Sequence, residues 1–221
     1  MIPLPRYPSG LLCSGGVESC ALAYLCSRRA KVQPIYIRCG LIWEGTELRW
    51  LQNYLARITN ENLQPLAVLD LPVADIYKDH WSMGTDIIPG ENDPDQSVYL
   101  PGRNLLLLTK GAVFCSLSNL SMLLLGTLQG NPFPDARPEF FSEMGRTLSL
   151  GLGRSFQILA PLRNLSKEAV IRLAADAPLD FSFSCIHPQH DQHCGRCNKC
   201  GERKKNFALA GVEDKTRYKT Y

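Results

Sequence analysis

The sequence predicts an α/β fold, in which a parallel β-sheet is flanked by helices and a small cysteine-rich subdomain follows at the C-terminal end. Three observations lead to this prediction. Short apolar runs alternate with amphipathic segments over most of the chain. The first run breaks into Ser14-Gly15-Gly16 directly before a helical pattern. Four cysteines lie close together near the end of the chain, at Cys185, Cys194, Cys197 and Cys200.

Length and composition indicate one ordinary globular domain with a small appendage. The chain has 221 residues, 45% of them hydrophobic and 20% charged, and a formal net charge of +3. This charge is too small to require a nucleic-acid or membrane partner. Because no stretch of about 18 uncharged apolar residues occurs, we expect a cytoplasmic protein with no membrane partner. We place an α/β domain over residues 1–178 and the subdomain over residues 179–221.

The N-terminal half predicts two βαβ units. The apolar run that ends near Cys13 predicts a first strand, and apolar residues at three- and four-residue steps predict a helix over 17–27. Strands over 32–39 and 65–71 follow, with an amphipathic helix over 47–58 between them. Helical crossovers join parallel strands with a right-handed connection. Ligands of such sheets bind beyond the carboxyl ends of the strands, where Ser14-Gly15-Gly16 falls.

The C-terminal half continues the alternation after a long irregular segment. Residues 72–102 are rich in proline and glycine, and a loop of this length inside a compact domain is typically functional or disordered. After it, the pattern predicts helices over 105–117 and 140–150, strands over 121–127 and 155–162, and a final helix that starts near Lys167.

The Ser14-Gly15-Gly16 stretch predicts a phosphate-binding loop. Two glycines after a strand let the backbone approach a ligand, and successive N–H groups can face one anion. The helix that begins near Val17 adds its unpaired first-turn N–H groups, and Ser14 and Ser19 add hydroxyl donors. The stretch lacks the lysine of a Walker loop, so it belongs to a different class of nucleotide site. A flexible turn is the alternative.

Three further features predict ligand contacts at the same edge of the sheet. Arg103 and Asn104 follow a Pro-Gly pair at the start of an apolar helix, which places a guanidinium beside the anion site. The loop over 126–140 combines glycine, proline, aromatic and charged residues, which suits a planar polar ligand. Lys167 is either a surface lysine or a cation that reaches the phosphate site. The alternatives for the first two are a solvated arginine on a turn and a rigid loop.

The four clustered cysteines predict a structural metal site. Thiolates separated by two residues on a tight turn, joined by a fourth from a nearby loop, satisfy tetrahedral Zn²⁺ and leave no open position. A site in which His187, His190 or His193 replaces one cysteine is the alternative. A redox pair is disfavoured because further thiols are at hand to bind metal. The basic tract over 196–205 predicts a solvated helix face, with a tRNA-binding patch as the alternative.

Taken together, these motifs resemble the 7-cyano-7-deazaguanine synthase family. The resemblance covers nearly the whole chain and rests on residues 14–19, 101–104, 133–140 and 160–167 and on the four cysteines. It implies an adenine nucleotide alpha-hydrolase-like fold with an ATP pyrophosphatase loop, a structural zinc and usually a homodimer. It also implies the chemistry of queuosine and other deazapurine pathways, in which 7-carboxy-7-deazaguanine, ammonia and ATP give the nitrile.

The resemblance also implies a role for each motif residue. The residues that it makes catalytic are Ser14, Arg103 and Lys167. Those that it places around ATP and Mg²⁺ are Ser14, Gly15, Gly16, Val17, Glu18, Ser19 and Arg38. Those that it places around the deazapurine are Arg103, Asn104, Phe133, Asp135 and Arg137. The zinc ligands that it implies are Cys185, Cys194, Cys197 and Cys200.

The chain departs from the family pattern in three places, which indicates a divergent member. Glu18 stands where the family normally has Asp, Ala136 replaces a cysteine often found there, and residues 38–47 differ from the usual Gly-Gln-Arg-His form. Two other hypotheses therefore stay open for the enzyme: transfer of the activated deazaguanine acid to a protein amine, and tRNA modification by an ATP pyrophosphatase. A zinc adaptor without catalysis is a third.

Overall fold

The computed structural model describes residues 2–84 and 88–219 and contains a five-stranded parallel sheet. The order across the sheet is β3-β2-β1-β4-β5, and each neighbouring pair of described strands is parallel. The predicted α/β fold with flanking helices is confirmed. The strands are β1 (Ser9–Leu12), β2 (Val32–Arg38), β3 (Ala67–Asp70), β4 (Met122–Leu124) and β5 (Gln157–Leu159).

Seven α-helices accompany the strands in the part of the chain that the structure describes. They are α1 (Val17–Ser27), α2 (Glu44–Arg57), α3 (Ala74–Tyr77), α4 (Arg103–Leu117), α5 (Pro138–Leu152), α6 (Lys167–Leu173) and α7 (Asn198–Ala210). The chain runs outward from β1 to β3 and then returns to place β4 on the other side of β1. This reversal makes the carboxyl ends of β1 and β4 a topological switch point, where such sheets bind ligands.

Two apolar layers enclose the sheet. One contains buried residues of α1, α2, α6 and α7, and the other contains those of α4 and α5. Helix α4 lies very close to the sheet because two contact positions are glycine. A Cβ at Gly10 of β1 would collide with the Cys115 sulfur of α4, and a Cβ at Gly111 would lie 2.9 Å from Leu123 Cδ2. Close packing of this kind leaves no room for an added methyl group without movement.

The observed boundaries differ from the predicted ones where side chains bind the backbone. Helix α2 begins three residues before Glu47, because the Glu44 carboxylate accepts hydrogen bonds from Cys39 N (2.5 Å) and Gly40 N (2.8 Å) and holds the turn before the helix. The segment over 72–102 contains α3 and short 3₁₀ turns at Trp81–Met83 and Asp95–Val98. Residues 85–87 of this segment lie outside the described residues.

The C-terminal tail packs back onto the α/β layers through α7. Phe207 and Ala210 belong to the same apolar layer as α1 and α6. Arg203 is 1% exposed and donates hydrogen bonds to Leu179 O and Thr216 Oγ1. The prediction of a solvated face over 196–205 is therefore wrong for Arg203, which ties the tail together. The predicted boundary between the α/β domain and the C-terminal subdomain, after residue 178, stays a prediction. No helix among the described residues is long and apolar enough to cross a membrane.

Candidate active site and metal site

A cleft with a volume of about 170 Å³ opens at the switch point of the sheet. Its walls come from the loop after β1, from β2, from the starts of α2 and α4, and from the end of β4. Several predicted site residues meet here although they are far apart in the chain. The residues lining the cleft include Ser14, Glu18, Ser19, Arg103 and Asn104.

The loop between β1 and α1 is fixed by its own backbone. Gly15 has φ +79°, a left-handed conformation that favours glycine. Its carbonyl oxygen accepts hydrogen bonds from Phe183 N (2.7 Å) and from the Cys20 thiol (3.2 Å). Gly16 is the residue before the first turn of α1, and Ser19 Oγ donates to its carbonyl oxygen at 3.1 Å. The unpaired first-turn N–H groups of α1 therefore stand at the cleft, where they can bind an anion.

Lys167 lies beside this loop and not on the solvated surface. Its ammonium group contacts Glu18 Oε1 at 2.8 Å and Glu202 Oε1 at 2.6 Å, and its side chain is 15% exposed. Burial lowers the pKa of Lys167, but the two carboxylates together outweigh burial and raise the pKa above its ordinary value. The site therefore keeps a permanent cation next to the loop. Glu202, which the sequence analysis did not single out, also contacts Lys199 Nζ at 2.8 Å.

Arg103 and Asn104 form the first turn of α4 at the opposite wall. The Nε atom of Arg103 is buried and has no hydrogen-bond partner among the described residues. Asn104 N donates to Asp135 Oδ2 at 2.9 Å, and Asn104 Nδ2 donates to Asp135 O at 3.0 Å. Asp135 is therefore engaged with the start of α4. Its predicted contact with a ligand, like the roles of Arg103 and Asn104, stays a prediction.

The other predicted site residues lie at the periphery. Phe133 stacks on Tyr99 with ring centroids 4.7 Å apart, and Arg137 is exposed directly before α5. Arg38 is about half exposed and donates from Nε to Glu44 Oε1 at 3.1 Å. None of these three side chains lines the cleft as the structure describes it. Their predicted ligand contacts stay predictions.

The predicted site did not include Glu47 and Tyr36, which form a hydrogen-bonded pair in the wall of the cleft. Glu47 of α2 is only 8% exposed, and its carboxylate accepts a hydrogen bond of 2.7 Å from the Tyr36 hydroxyl. Burial raises the pKa of Glu47 to about 7, against the opposing effect of the nearby Arg103 guanidinium. The sequence contains two indications of this pair: Tyr36 is a residue with a hydroxyl group in an apolar strand, and Glu47 lies near the start of a helix that follows a strand. Neither indication identifies a site unless the fold is known.

The four tail cysteines form a cluster that can hold a metal ion such as zinc. All four are buried, and their sulfur atoms lie within 4.8 Å of one another. The distance from Cys197 Sγ to Cys185 Sγ is 3.9 Å, close to the roughly 3.8 Å expected across tetrahedral zinc with Zn–S bonds of about 2.3 Å. Backbone N–H groups of His187, Cys194 and Cys197 donate to cluster sulfurs at 3.3 Å, which stabilises thiolates.

No histidine joins this cluster in the ranges that the structure describes. His193 is fully buried, and its Nε2 atom accepts a hydrogen bond from Ser184 N at 3.0 Å. Its ring is therefore directed at the backbone of the tail. The arrangement favours the four-cysteine set over the alternative with a histidine ligand.

Comparison with known proteins places the chain in a family. The model of the family described as Queuosine biosynthesis protein QueC matches residues 10–211. The chain belongs to this family. The resemblance drawn from the motifs is thereby confirmed, and sequence identities of 26–32% to three relatives fit a divergent QueC family member.

Each of these three relatives is named 7-cyano-7-deazaguanine synthase. The protein from Methanobrevibacter smithii is 31% identical over 192 residues, which cover 84% of this chain and 78% of the relative. The protein from Methanothrix thermoacetophila is 26% identical, with coverages of 94% and 96%. The protein from Methanocaldococcus jannaschii is 32% identical over 134 residues, which cover 56% of this chain and 58% of the relative.

Two solved structures resemble this QueC family member at low sequence identity. A predicted subunit of tRNA methyltransferase from Methanocaldococcus jannaschii has a TM-score of 0.49 and 17% identity, and covers 77% of this chain and 76% of its own. Phosphoadenylyl-sulfate reductase from Candida auris, a phosphate complex, has a TM-score of 0.40 and 14% identity, with coverages of 80% and 75%. At these TM-scores, neither structure adds to the fold described above.

Proposed function

We propose that this chain is an ATP-dependent carbon–nitrogen ligase that adenylates 7-carboxy-7-deazaguanine and converts the adenylate, with ammonia, to 7-cyano-7-deazaguanine. The names of its relatives support the reaction class. The observation that carries the proposal is the position of Lys167, which is only 15% exposed and is charged beside Glu18, a residue that lines the switch-point cleft. A phosphate bound by this loop lies within reach of that cation.

The chemistry explains why ATP is needed. A carboxylate is a poor electrophile, and ammonia does not displace oxide from it. Transfer of AMP to the carboxylate gives a mixed anhydride with a stable leaving group. Ammonia then forms an amide, and a second activation of the amide oxygen permits dehydration to the nitrile. Both activations require a site that holds the reactants in line and excludes water.

The residues of the chain divide these tasks. The N–H groups of Gly15, Gly16 and the first turn of α1 bind the phosphates, and Lys167 balances the charge of the pyrophosphate that leaves. Arg103 lines the same cleft, its buried Nε has no hydrogen-bond partner among the described residues, and its guanidinium suits the carboxylate of the substrate. Mg²⁺, when bound with ATP, supplies further charge neutralisation at the phosphates. No side chain needs to act as a covalent nucleophile.

We further propose that the tail cluster binds zinc and that this zinc is structural. Four thiolates fill the coordination sphere and leave no position for a substrate. The cluster also lies within the apolar layer formed with α4 and α5, away from solvent.

A product assay tests the ligase proposal. The protein is incubated with 7-carboxy-7-deazaguanine, ammonium and Mg-ATP, and products are identified by mass spectrometry. We expect AMP and the nitrile, a rate about 10²–10³-fold lower for Lys167→Ala, and an unchanged rate for Lys31→Ala. Lys31 is a matched control because it is exposed and precedes β2 at the opposite end of the sheet.

The assay also distinguishes the acceptors. Adenylate that accumulates and never becomes nitrile, at any ammonium concentration, would contradict ammonia as the acceptor and favour a protein amine. A folded Lys167→Ala variant with the wild-type rate would remove that residue from the site.

A further inference from the structure

Glu47 is a buried carboxylate in the wall of the cleft. It lies directly against the glycine loop, since a Cβ built on Gly15 would be 3.5 Å from Glu47 Cγ. The Tyr36 hydroxyl donates to its Oε2 atom at 2.7 Å. A carboxylate offers about four lone-pair sites, so this donor leaves acceptor capacity at the cleft. Glu47 has no ion pair among the residues that the structure describes, which is uncommon for a buried carboxylate, because burial penalises its charge.

Charged and titratable groups surround Glu47 on several elements and set its pKa. Burial has the largest effect and raises the pKa, the Glu44 carboxylate also raises it, and the net pKa is about 7. The Arg103 guanidinium and hydrogen bonds from Tyr36 and Trp43 oppose this rise. Two buried thiols also interact with its charge. The titratable groups that interact with Glu47 are Tyr36 of β2, Cys39 directly after β2, Glu44 of α2, Arg103 of α4 and Cys20 of α1.

The proposed reaction has a step that needs such a group. At neutral pH, most ammonia is present as ammonium, which has no lone pair and cannot attack a carbonyl carbon. Ammonium bound in the cleft must therefore lose a proton next to the adenylate. A carboxylate accepts that proton best when its pKa lies near the working pH.

We infer that Glu47 is the catalytic base that deprotonates ammonium for attack on the acyl adenylate, an inference that rests on the proposed function. The proton passes from ammonium to the Glu47 carboxylate. The nitrogen lone pair forms the C–N bond, and the bond from the carbonyl carbon to the phosphate oxygen breaks, with its electron pair leaving on AMP. The surplus proton on nitrogen passes to water, and Glu47 returns its own proton to solvent with product release.

A separation of the two half-reactions tests this role. ATP–pyrophosphate exchange in the presence of 7-carboxy-7-deazaguanine measures adenylation without ammonium. We expect Glu47→Gln to retain exchange and to lose amide formation from ammonium by about 10²–10⁴-fold. Hydroxylamine is neutral near pH 7 and brings its own lone pair, so it should still trap the adenylate as hydroxamate in Glu47→Gln. Glu61→Gln, the same change at an exposed residue, should match the wild type throughout.

The pH dependence provides a second readout that a merely structural role would not move. At constant total ammonium, wild-type transfer should rise with pH through about 7 and then level, because the base must be deprotonated. Residual transfer by Glu47→Gln should instead keep rising with pH as free ammonia accumulates. Tyr36→Phe removes a donor that favours the carboxylate, so the pKa of Glu47 rises and the wild-type inflection moves to higher pH.

Several outcomes would overturn the inference. Amide formation by Glu47→Gln at the wild-type rate would exclude a base at this position. Loss of exchange together with transfer would make Glu47 a binding residue, as would failure of hydroxylamine to trap the adenylate. Absence of exchange in the wild-type protein would overturn the proposed function itself, and this inference with it. If only the role of Glu47 is wrong, the wild-type protein still catalyses ATP–pyrophosphate exchange and still forms the nitrile.

Discussion

Gly15 and Gly16 are neighbours in the loop between β1 and α1, but they tolerate different changes. Gly15 has φ +79°, where an L-residue costs about 1–2 kcal/mol. Gly16 has φ −65° and ψ 164°, which any residue adopts. A Cβ on Gly16 would make ordinary contacts, at 3.4 Å from Glu18 Oε2 and 3.5 Å from Ser14 Oγ. The fold therefore accepts alanine at Gly16, although we expect that a bound phosphate would not.

Gly16→Ala is expected to lose ATP binding and to keep the unfolding temperature within a few degrees of the wild type. The added methyl group occupies space beside the N–H groups that a phosphate approaches. Isothermal titration calorimetry with ATP and thermal unfolding measure the two effects. Gly15→Ala is the comparison and should lower the unfolding temperature itself. Wild-type ATP affinity in Gly16→Ala would show that phosphate does not approach this residue.

At the scale of elements, α7 begins at the four-cysteine cluster. Cys197 is the residue directly before the helix, and Cys200 lies in its first turn. Neighbouring chain is tied to the same place, since Asn198 N donates to Pro89 O at 3.1 Å and Asn198 Nδ2 donates to Asp93 O at 2.7 Å. Part of the long segment over 72–102 is therefore held by the first turn of α7.

Cys197→Ser is expected to lose bound zinc and to lower the unfolding temperature by about 10 °C or more. In a chain of this size, each kcal/mol shifts that temperature by about 2–4 °C, and loss of a structural metal removes several. Metal analysis and calorimetry provide the measurements. Cys26→Ala changes a buried cysteine outside the cluster and should keep the metal. Wild-type protein that contains no zinc after purification without chelator would contradict the prediction.

At the scale of the whole molecule, helix α7 and two ion pairs connect the four-cysteine cluster to the loop between β1 and α1. Helix α7 starts at the cluster and carries Glu202, which contacts Lys167 at 2.6 Å. Lys167 in turn contacts Glu18 of the loop at 2.8 Å. We therefore expect a metal ion bound by the cluster to help to position a cation that lies in another part of the sequence.

Coupling between two sites is reciprocal, so ATP and metal are expected to stabilise each other. Saturating Mg-ATP should slow the transfer of zinc from the protein to a coloured chelator. Glu202→Gln interrupts the link and should show less protection at ATP saturation, with an unchanged zinc content at the start. A rate of zinc release that ATP leaves unchanged in the wild-type protein would show that the ion pairs transmit no coupling.

The fold could be predicted because its signals are local. Apolar runs and three- and four-residue spacings identified the order of strands and helices, and short motifs identified the glycine loop and the cysteine cluster. Boundaries were less accurate, since the side chain of Glu44 determines where α2 begins. Flanking apolar residues also made the predicted β4 and β5 longer than the observed strands.

The candidate site could be predicted only where all the residues that identify a feature lie within one short motif. Glu47 and Glu202 reach the site from helices whose relative positions no sequence pattern gives. Asp135 shows the same limit, because the hydrogen bond that it accepts from the start of α4 joins two distant parts of the chain and has no local sequence signal.

The contact between Gly10 of β1 and Cys115 of α4 has an evolutionary consequence. A side chain at position 10 would collide with the sulfur at position 115, so position 10 cannot gain a side chain while position 115 and the helix stay as they are. Natural relatives that carry alanine at position 10 should therefore carry a smaller residue than cysteine at position 115, or an α4 displaced from the sheet. The two positions are 105 residues apart in sequence, yet we expect them to vary together.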